Sequence, residues 1–331
     1  MRTALVLGGH GFIGHHIARK LKHEGFWVRT VDINHYPYDD LFIKEVDDYV
    51  IADLRNMHNC LQVTDIDGGF DEVYNMAFWM GGAGVIFTGV HDAEIMHSSA
   101  LIELNVAEAC YLNKAKKIFV PSSACIYPAH NQTDPNNPNC AENSAYPADP
   151  DSDYGFTKLF GERLWAAYHR NRGLNVRIAR FHNIFGEESA WDNGKEKSPA
   201  AVARKIARAE NGDTIEIWGD GQQTRSFLHI DECMIGVRKF MGSDFMGPLN
   251  IGSDEMVSIN QLVEITKEIA GKPDIKIKHI PGPLGVRGRN SDNTLIREKL
   301  GWAPSLPLRY GMEKVYAWID GMVRAGKTDA K

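Results

Sequence analysis

Short apolar runs alternate with longer amphipathic segments along the first part of the chain. Segments with helical spacing, such as Gly14–Glu24 and Glu94–Asn113, separate the apolar runs. Apolar strands that alternate with helices are typical of a parallel sheet covered on both faces. The pattern predicts an α/β fold with one doubly wound parallel sheet of six strands: Ala4–Leu7, Trp27–Val31, Val46–Ile51, Glu72–Asn75, Lys117–Pro121 and Asn175–Ala179.

The alternation changes after residue 185. Glu187–Pro199 is polar and rich in glycine, Ala200–Asn211 predicts a helix, and Pro281–Asn293 predicts a loop of Gly, Arg and Pro. Phe227–Met241 and Leu249–Ile251 are expected to return to the first unit. The chain is therefore divided into a sheet domain and a smaller, discontinuous α/β lobe, with bounds 1–184 plus about 227–252 and about 185–226 plus 253–331.

Composition places the chain among folded globular proteins. It has 331 residues, of which 43% are hydrophobic and 24% charged, close to the usual composition of such proteins. Acidic residues outnumber basic ones, 43 to 37, for a net charge of −6. A broad electrostatic interaction with nucleic acid or with an anionic membrane surface is therefore not expected.

The cysteines and the hydrophobic runs suggest a compartment. Five cysteines, an odd number without a Cys-x-x-Cys pair, predict neither a disulfide framework nor a zinc cluster. The apolar run after Met1 is too short for a signal peptide, and no run reaches the roughly 18 residues of a membrane helix. We therefore expect a protein of the reducing cytoplasm.

A glycine-rich turn joins the first predicted strand to the first predicted helix. Gly8, Gly11 and Gly14 would let the backbone approach a pyrophosphate, whose charge the helix N-terminus favours. Asp32 ends the next strand, where a carboxylate can bind the ribose hydroxyls and repel a 2′-phosphate. The sequence therefore predicts a Rossmann-type NAD site. Its predicted residues are Gly8, Gly11, Phe12, Ile13, Gly14, Asp32, Asp53, Leu54, Ala77, Tyr154 and Lys158.

A second group of residues predicts hydride transfer. Tyr154 and Lys158 lie four residues apart, on one face of a helix. A phenol is a poor base at neutral pH, but a neighbouring ammonium favours its phenolate and can also hold the nicotinamide ribose. Ser123 follows the fifth strand at the carboxyl end, where open α/β sheets bind ligands, and it can hydrogen-bond a reacting hydroxyl.

These residues resemble the extended short-chain dehydrogenase/reductases over nearly the whole chain. Ser123, Tyr154 and Lys158 match the Ser/Thr, Tyr and Lys of that family. Longer strings are similar to the subfamily of GDP-mannose 3,5-epimerases: SSACIYP at 122–128, RFHNIFG at 180–186, KEKSPAA at 195–201, WGDGQQTRSF at 218–227 and GVRGRNSDN at 285–293. The chain departs from the subfamily pattern at Ser198 and Glu187–Glu188, which leaves the exact substrate open.

The resemblance implies an acid/base pair. Cys125 stands where related dehydratases carry a carboxylate, and a thiol there suggests proton transfer without loss of water. Lys197 matches the second acid/base residue of the subfamily. In the implied cycle, Tyr154 accepts the C4 hydroxyl proton while the C4 hydride passes to NAD, and the C3 and C5 protons become acidic beside the new ketone. Cys125, as thiolate, removes one of them, Lys197 protonates the opposite face, and the hydride returns.

The implied substrate is a nucleotide sugar, GDP-mannose, with GDP-L-galactose or GDP-L-gulose as products and NAD retained as a bound cofactor. Arginines suit a diphosphate because they pair with it in a bidentate manner. The loop Gly81–Gly84 is expected to close over the sugar. The substrate-binding residues implied by the resemblance are Gly82, Asn183, Glu196, Lys197, Lys205, Gln223, Arg225 and Arg287.

Two further expectations concern metals and partners. The spacing of His10, His15, His16, His182 and His229 gives no metal-ligand motif, so no metal is predicted. The resemblance implies a homodimer paired through helices that flank the sheet, and C2 dimers are the commonest closed assembly.

Two alternative functions stay open. Another nucleotide-sugar epimerase, or a 4,6-dehydratase, would use the same Tyr, Lys and NAD. Cys125 and Lys197 argue against both, since a 4-epimerase needs no proton shuttle at C3 or C5 and a dehydratase would carry carboxylates near Cys125. A noncatalytic NAD-binding sensor is the alternative from a different class, and the intact Tyr154 and Lys158 argue against it.

Overall fold

The computed structural model describes residues 1–38 and 41–329. The strands are β1 (Thr3–Leu7), β2 (Trp27–Asp32), β3 (Asp48–Ile51), β4 (Glu72–Asn75), β5 (Ile118–Ser123), β6 (Val176–Phe181), β7 (Ile184–Phe185), β8 (Thr214–Trp218), β9 (Thr224–Ser226), β10 (Leu228–His229), β11 (Leu249–Ile251), β12 (Met256–Ser258), β13 (Lys276–Ile280) and β14 (Gly288–Arg289). The α-helices are α1 (Phe12–His23), α2 (Phe42–Glu45), α3 (Met57–Thr64), α4 (Ala83–Ile86), α5 (Asp92–Leu112), α6 (Asp153–Arg172), α7 (Ser198–Arg208), α8 (Ile230–Gly242), α9 (Ile259–Ala270), α10 (Thr294–Leu300) and α11 (Leu308–Arg324). Short 3₁₀ turns cover Ala124–Ile126, Ala129–Gln132 and Glu142–Ala145.

The main sheet of the described residues is parallel and has seven strands, in the order β3-β2-β1-β4-β5-β6-β11. All six predicted strands form, and β11 adds the seventh from the segment that was expected to return to the sheet. The chain leaves one edge after β3 and re-enters beside β1 as β4. Because the order of the strands reverses there, the carboxyl ends of β1 and β4 border the crevice in which such sheets bind ligands.

Alternate residues of each strand serve the two faces of the sheet. Ala4 and Val6 pack with α1, α8 and α10, whereas Leu5 and Leu7 pack with α3, α5 and α6. This alternation follows from the two-residue period of a strand, and it explains why β1 is apolar at every position from Ala4 to Leu7. The predicted doubly wound α/β fold is confirmed.

A separate apolar core lies in the second part of the chain. Helices α7, α9 and α11 meet around side chains that include Ile206, Leu262 and Met312, beside the parallel pair β8–β13. The helix predicted at 200–211 begins two residues earlier, at Ser198, because Pro199 is well suited to a first helical turn. The second core supports the proposal of a separate lobe, of which residues 330 and 331 lie outside the described part.

Two expectations from composition can be compared with the structure. The five cysteines are free and buried, in agreement with the expectation that they form no disulfide framework. Within residues 1–38 and 41–329, no helix combines the length and the apolar character needed to cross a membrane.

Candidate active site

The turn between β1 and α1 requires glycine at two positions. Gly8 has φ +72°, and a Cβ there would lie 2.5 Å from the backbone of Met76. A Cβ on Gly14 would lie 2.0 Å from the carbonyl oxygen of Gly8. Helix α1 therefore starts close to the strand ends, and Gly11 is exposed in front of it. The first amides of a helix have no intrahelical acceptor, so those of Phe12 and Ile13 are suited to a pyrophosphate.

The other predicted dinucleotide contacts differ in their surroundings. The Asp32 carboxylate ends β2 and accepts hydrogen bonds from the amides of His10 and Asn34, both at 3.2 Å. Its position beside the glycine turn fits an adenosine ribose. The Asp53 carboxylate instead accepts from the Arg55 guanidinium at 2.7 Å, which holds its pKa below the usual range. Leu54 is buried.

Helix α6 brings the predicted hydride-transfer residues together. Ser152 caps the helix by accepting a hydrogen bond from the Gly155 amide at 3.2 Å. A Cβ on Gly155 would lie 2.3 Å from the carbonyl oxygen of Cys125, so the start of α6 packs closely against the turn after β5. This contact brings Tyr154 near Ser123, which opposes the rise in the pKa of the phenol, and packs Tyr154 against Cys125.

Lys158 is buried, and its ammonium contacts groups other than Tyr154. Its Nζ donates to the carbonyl oxygen of Pro121 at 3.2 Å and lies 2.8 Å from the centroid of the Phe78 ring, but 5.8 Å from that of Tyr154. Burial lowers the pKa of Lys158 to about 7 and raises that of Tyr154. Tyr154 is therefore a protonated phenol in this arrangement, whereas the sequence predicts a phenolate beside an ammonium. The difference arises chiefly because burial raises the pKa of Tyr154, and the charge of Cys125 raises it further.

Cys125 contacts an arginine that the sequence analysis did not assign. Arg289 donates from Nη1 to the Cys125 Sγ at 3.2 Å and from Nε to Gln132 at 2.6 Å, and it forms an ion pair with Asp151. Burial raises the pKa of the Cys125 thiol, the Asp151 carboxylate adds to this effect, and Arg289 opposes both. Arg289 belongs to the 285–293 string, in which only Arg287 was predicted to bind substrate. Arg287 pairs with Asp220 at 3.0 Å on the surface.

Lys197 immediately precedes α7 and is half-buried. Its Nζ donates to the carbonyl oxygen of Ile184 at 3.2 Å. Burial lowers its pKa to about 8, while Cys125 acts in the opposite direction through its charge. The two residues of the predicted acid/base pair are therefore close enough to interact electrostatically, and Tyr154 packs on one of them.

The loop before α4 lies on the segment that leads to Lys197. The Gly82 amide donates to the Lys195 carbonyl oxygen at 2.9 Å, and a Cβ on Gly82 would lie 2.2 Å from the carbonyl oxygen of Glu196. The predicted loop Gly81–Gly84 therefore borders the predicted acid/base residue and has no room for a side chain at position 82.

Arg225 is a half-buried cation whose guanidinium ends among carbonyl groups. Its guanidinium donates to the carbonyl oxygens of Thr224 at 2.7 Å, Leu284 at 3.1 Å and Val286 at 2.7 Å. Burial lowers its pKa to about 9, and the charge of Arg289 lowers it further. Two guanidiniums thus interact in one buried region, an arrangement that suits an anionic ligand.

The other predicted substrate residues form local hydrogen bonds. The Gln223 amide donates to the Trp218 carbonyl oxygen at 3.3 Å, while its buried Oε1 has no hydrogen-bond partner among the described atoms. Such a buried acceptor is suited to a ligand donor. The Asn183 amide donates to the Ser226 carbonyl oxygen, and the Lys205 ammonium donates to the Glu216 carbonyl oxygen. The Glu196 carboxylate accepts a hydrogen bond from the Arg204 guanidinium.

Two of the histidines meet a carboxylate that sequence spacing did not connect with them. His15, His16 and Glu188 offer ligand atoms within 4.8 Å of one another. The Glu188 Oε2 already accepts from Arg19 at 2.6 Å and from the Tyr36 hydroxyl at 2.5 Å, and it lies 2.8 Å from His15 Nε2. Burial would raise the pKa of Glu188, but these hydrogen bonds hold it well below its usual range. Arg19 therefore supplies the positive charge that this carboxylate requires.

Most of the chain matches the model of a known protein family. The model of the NAD dependent epimerase/dehydratase family matches residues 4–252, well over half of the chain. The chain belongs to this family. The predicted membership of the extended short-chain dehydrogenase/reductases and the prediction of an NAD-dependent enzyme are confirmed, so NAD is the cofactor for which the glycine turn and Asp32 are suited.

Relatives and solved structures extend the comparison. The chain is 46% identical to GDP-mannose 3,5-epimerase of Arabidopsis thaliana over 324 residues, covering 97% of this chain and 83% of that protein. It is 46% identical to GDP-mannose 3,5-epimerase 1 of Oryza sativa subsp. japonica, covering 98% and 83%. UDP-glucose 4-epimerase of Thermotoga maritima has the same fold, with a TM-score of 0.80 and 21% identity over 97% of this chain and 99% of that one.

Proposed function

We propose that the chain is a GDP-mannose 3,5-epimerase. The observation that carries the proposal is that the Cys125 thiol packs against Tyr154 and accepts a hydrogen bond from Arg289, with Lys197 near enough for the charge of Cys125 to influence its pKa. A thiol and an amine beside a hydride-transfer tyrosine can move protons at carbon, which a simple 4-epimerase does not need. The identity with the Arabidopsis enzyme supports the same substrate.

The residues of the pocket have distinct tasks. NAD, when bound, supplies the oxidation of the sugar at C4 and its later reduction. Tyr154 exchanges the proton of the C4 hydroxyl, and Ser123 lowers the pKa of the phenol. Because burial favours the protonated phenol, the Lys158 ammonium must approach Tyr154 for the phenol to act as a base.

Carbon acidity and charge determine the proton transfers. A C–H bond next to a C4 ketone is acidic enough for Cys125 to remove its proton as a thiolate, and the Arg289 guanidinium stabilises that thiolate. Lys197 has a pKa of about 8, so its ammonium can donate a proton near neutral pH. After one inversion the new proton is on carbon, Cys125 is a neutral thiol, and Lys197 is a neutral amine. The pair must then be reset before a second inversion.

Substrate binding is assigned to the buried cations. Arg225 ends among carbonyl groups beside the charge of Arg289, so a diphosphate would receive two guanidiniums in a region shielded from water. The unpartnered Oε1 of Gln223 can accept a hydrogen bond from the sugar or the base. Because Gly82 has no side chain, the loop can lie close to Glu196. In this position the loop would cover a bound sugar.

A homodimer is part of the proposal. Helices α5 and α6 leave large apolar side chains exposed, among them Leu104, Leu112, Phe156 and Phe160. These two helices pack on each other and flank the sheet, so a second copy could cover both with one symmetric interface. Light scattering after size-exclusion chromatography should give twice the monomer mass, and charged substitutions at Phe156 and Phe160 should halve it.

Product analysis tests the catalytic proposal. We expect GDP-mannose, among GDP-, UDP-, CDP- and dTDP-hexoses, to give products inverted at C3, C5 or both by NMR. In D₂O, recovered GDP-mannose should carry deuterium at C3 or C5. Cys125→Ser and Lys197→Ala should abolish incorporation. Cys60→Ser is a matched control, because its thiol donates to the Leu54 carbonyl oxygen and a hydroxyl can replace it. An active enzyme that incorporates no deuterium, or that inverts only C4, contradicts the proposal.

A further inference from the structure

A buried carboxylate lies between α5 and α6. Glu103 is 1% exposed, and its Oε2 accepts hydrogen bonds from the Trp165 indole at 2.5 Å and from the Asn75 amide at 3.3 Å. Burying a carboxylate among apolar side chains is costly unless it is hydrogen-bonded and paired with a cation. Indole and amide N–H groups only donate, so both stabilise the ionised form. The reaction proposed above gives Glu103 no role.

The face of α6 that meets Glu103 is the face that carries the catalytic residues. Tyr154, Lys158, Gly161 and Trp165 follow one another at spacings of four, three and four residues, which places them in one stripe of the helix. A Cβ on Gly161 would lie 2.5 Å from the Glu103 Oε1. Glycine weakens the interior of a helix, but here it allows the carboxylate to approach one turn beyond Lys158.

We propose that Glu103 is a positioning residue that keeps Lys158 an ammonium one helical turn from Tyr154. The inference rests on the proposed function, because it gives the Lys158 ammonium the task of turning Tyr154 into a base. Glu103 has no contact with Tyr154 or the sugar in this assignment, and its own charge raises the pKa of Tyr154. Its contribution to the reaction therefore passes through Lys158.

The charges around Lys158 support this assignment. The titratable groups that interact with it are Glu103 from α5, Cys125 from the turn after β5 and Tyr154 from its own helix. Burial is the largest influence and lowers the pKa of Lys158, and Glu103 is the largest influence in the opposite direction. Burial likewise raises the pKa of Glu103, and Lys158 and then Trp165 oppose the rise. Each charge therefore favours the other.

Direct titration of the lysine tests the proposal without a sugar substrate. The NAD-bound enzyme labelled with ¹⁵N-lysine would be followed by NMR from pH 5 to pH 11, with the Lys158 signal assigned by Lys158→Met. We expect Glu103→Gln to lower the titration midpoint of Lys158 by about one pH unit or more, because it removes the charge and keeps an acceptor for Trp165.

The chain offers a matched control on the same two helices. Glu108 lies on α5 and accepts a hydrogen bond from the Tyr168 hydroxyl of α6 at 2.7 Å. Glu108→Gln therefore makes the same chemical change in the same interface, away from Lys158, and should leave the midpoint within about 0.2 pH unit of the original. An unchanged Lys158 midpoint in Glu103→Gln overturns the proposal. That result would leave the assigned substrate untouched, since the titration contains none.

A double-mutant cycle covers the case in which Glu103→Gln folds too poorly for NMR. If Glu103 is charged because Lys158 is charged, Lys158→Met leaves an unpaired carboxylate. Adding Glu103→Gln to Lys158→Met should then raise the urea midpoint of unfolding. If the two substitutions destabilise additively, Glu103 is a structural acceptor for Trp165 and the proposal is wrong.

The pH dependence of turnover gives a further readout. The alkaline limb of the kcat–pH profile should move to lower pH in Glu103→Gln and stay in place in the control Glu108→Gln.

Discussion

The Cys125 thiol lies in a buried environment that opposes its ionisation, with a single guanidinium in contact with its sulfur. Burial and the Asp151 carboxylate both raise the pKa of the thiol, and Arg289 acts against them. The resting residue is therefore a thiol, and proton abstraction requires it to ionise beside Arg289.

Replacing Arg289 should make Cys125 less reactive. Arg289→Gln removes the donor to Sγ and the positive charge, so the pKa of the thiol should rise and its alkylation by iodoacetamide should slow about tenfold, equal to one pKa unit. Mass spectrometry of the Cys125 peptide measures the rate. Cys110, buried on α5, is the internal reference. If Cys125 is alkylated at the same rate in Arg289→Gln as in the original protein, Arg289 does not stabilise the thiolate.

The residues that could be predicted from sequence are those in characteristic strings. Cys125 and Lys197 were predicted because their neighbours match a known pattern, and their catalytic roles stay a prediction. Arg289 belongs to one of those strings, yet nothing in the string indicates which arginine turns inward. Glu103 occurs in an ordinary helical segment, where a glutamate usually faces solvent. Its burial depends on Gly161 and Trp165 of another helix, which spacing along the chain does not reveal.

At the scale of elements, the loop before α4 and the start of α7 behave as one unit. Gly82 donates to Lys195 and approaches Glu196, so the position of Lys197 depends on a loop more than one hundred residues earlier in the chain. A displacement of the loop is therefore expected to displace Lys197 as well, because the two segments are joined through backbone atoms.

Gly82→Ala should separate the two segments. The added Cβ would meet the Glu196 carbonyl oxygen at 2.2 Å, so the loop must shift and the bond from the Gly82 amide to Lys195 should be lost. We expect turnover to fall at least about tenfold, as displacement of a catalytic group by about an ångström does, and amide exchange of the segment 195–198 to increase.

Gly84→Ala is the matched control two residues further on, in the first turn of α4, where the sequence analysis expected the loop to continue. A Cβ at position 84 would lie 3.4 Å from the Trp218 ring, which is ordinary contact, so turnover and exchange should stay close to those of the original protein. Equal losses in both variants would show that the loop tolerates no side chain for reasons other than its contact with Glu196.

Secondary structure was predictable where burial forces a strand to be apolar throughout. β1 and β4 form as predicted to within one residue, because both faces of these strands are covered. β11 has only three residues, and it was expected as part of the first unit but not counted as a strand. The two-residue strand Gly288–Arg289 was predicted as loop, since its pairing with β9 is set by a distant segment.

For the whole molecule, the buried Lys158 and the half-buried Lys197 make stability depend on pH. Burial lowers the pKa of Lys158 to about 7 and that of Lys197 to about 8, against 10.5 for a free lysine. Between the folded and the unfolded pKa, the unfolded chain binds more protons than the folded one. The free energy of unfolding should therefore rise as the pH increases through this interval, and both lysines should be most destabilising below pH 7. An active site that needs ammonium groups thus reduces the stability of the fold.

Lys197→Met should remove part of this dependence. The methionine fills similar space without a charge, so the variant should be more stable than the original protein at pH 7, by about 2 kcal/mol after allowance for the partial exposure of Lys197. The difference should shrink toward zero by about pH 10, as the original lysine loses its proton. Urea unfolding at pH 7, 8.5 and 10 measures it, with the exposed neighbour in Lys195→Met as control. A difference that stays constant with pH would mean that Lys197 titrates as a free lysine and is no acid near neutral pH.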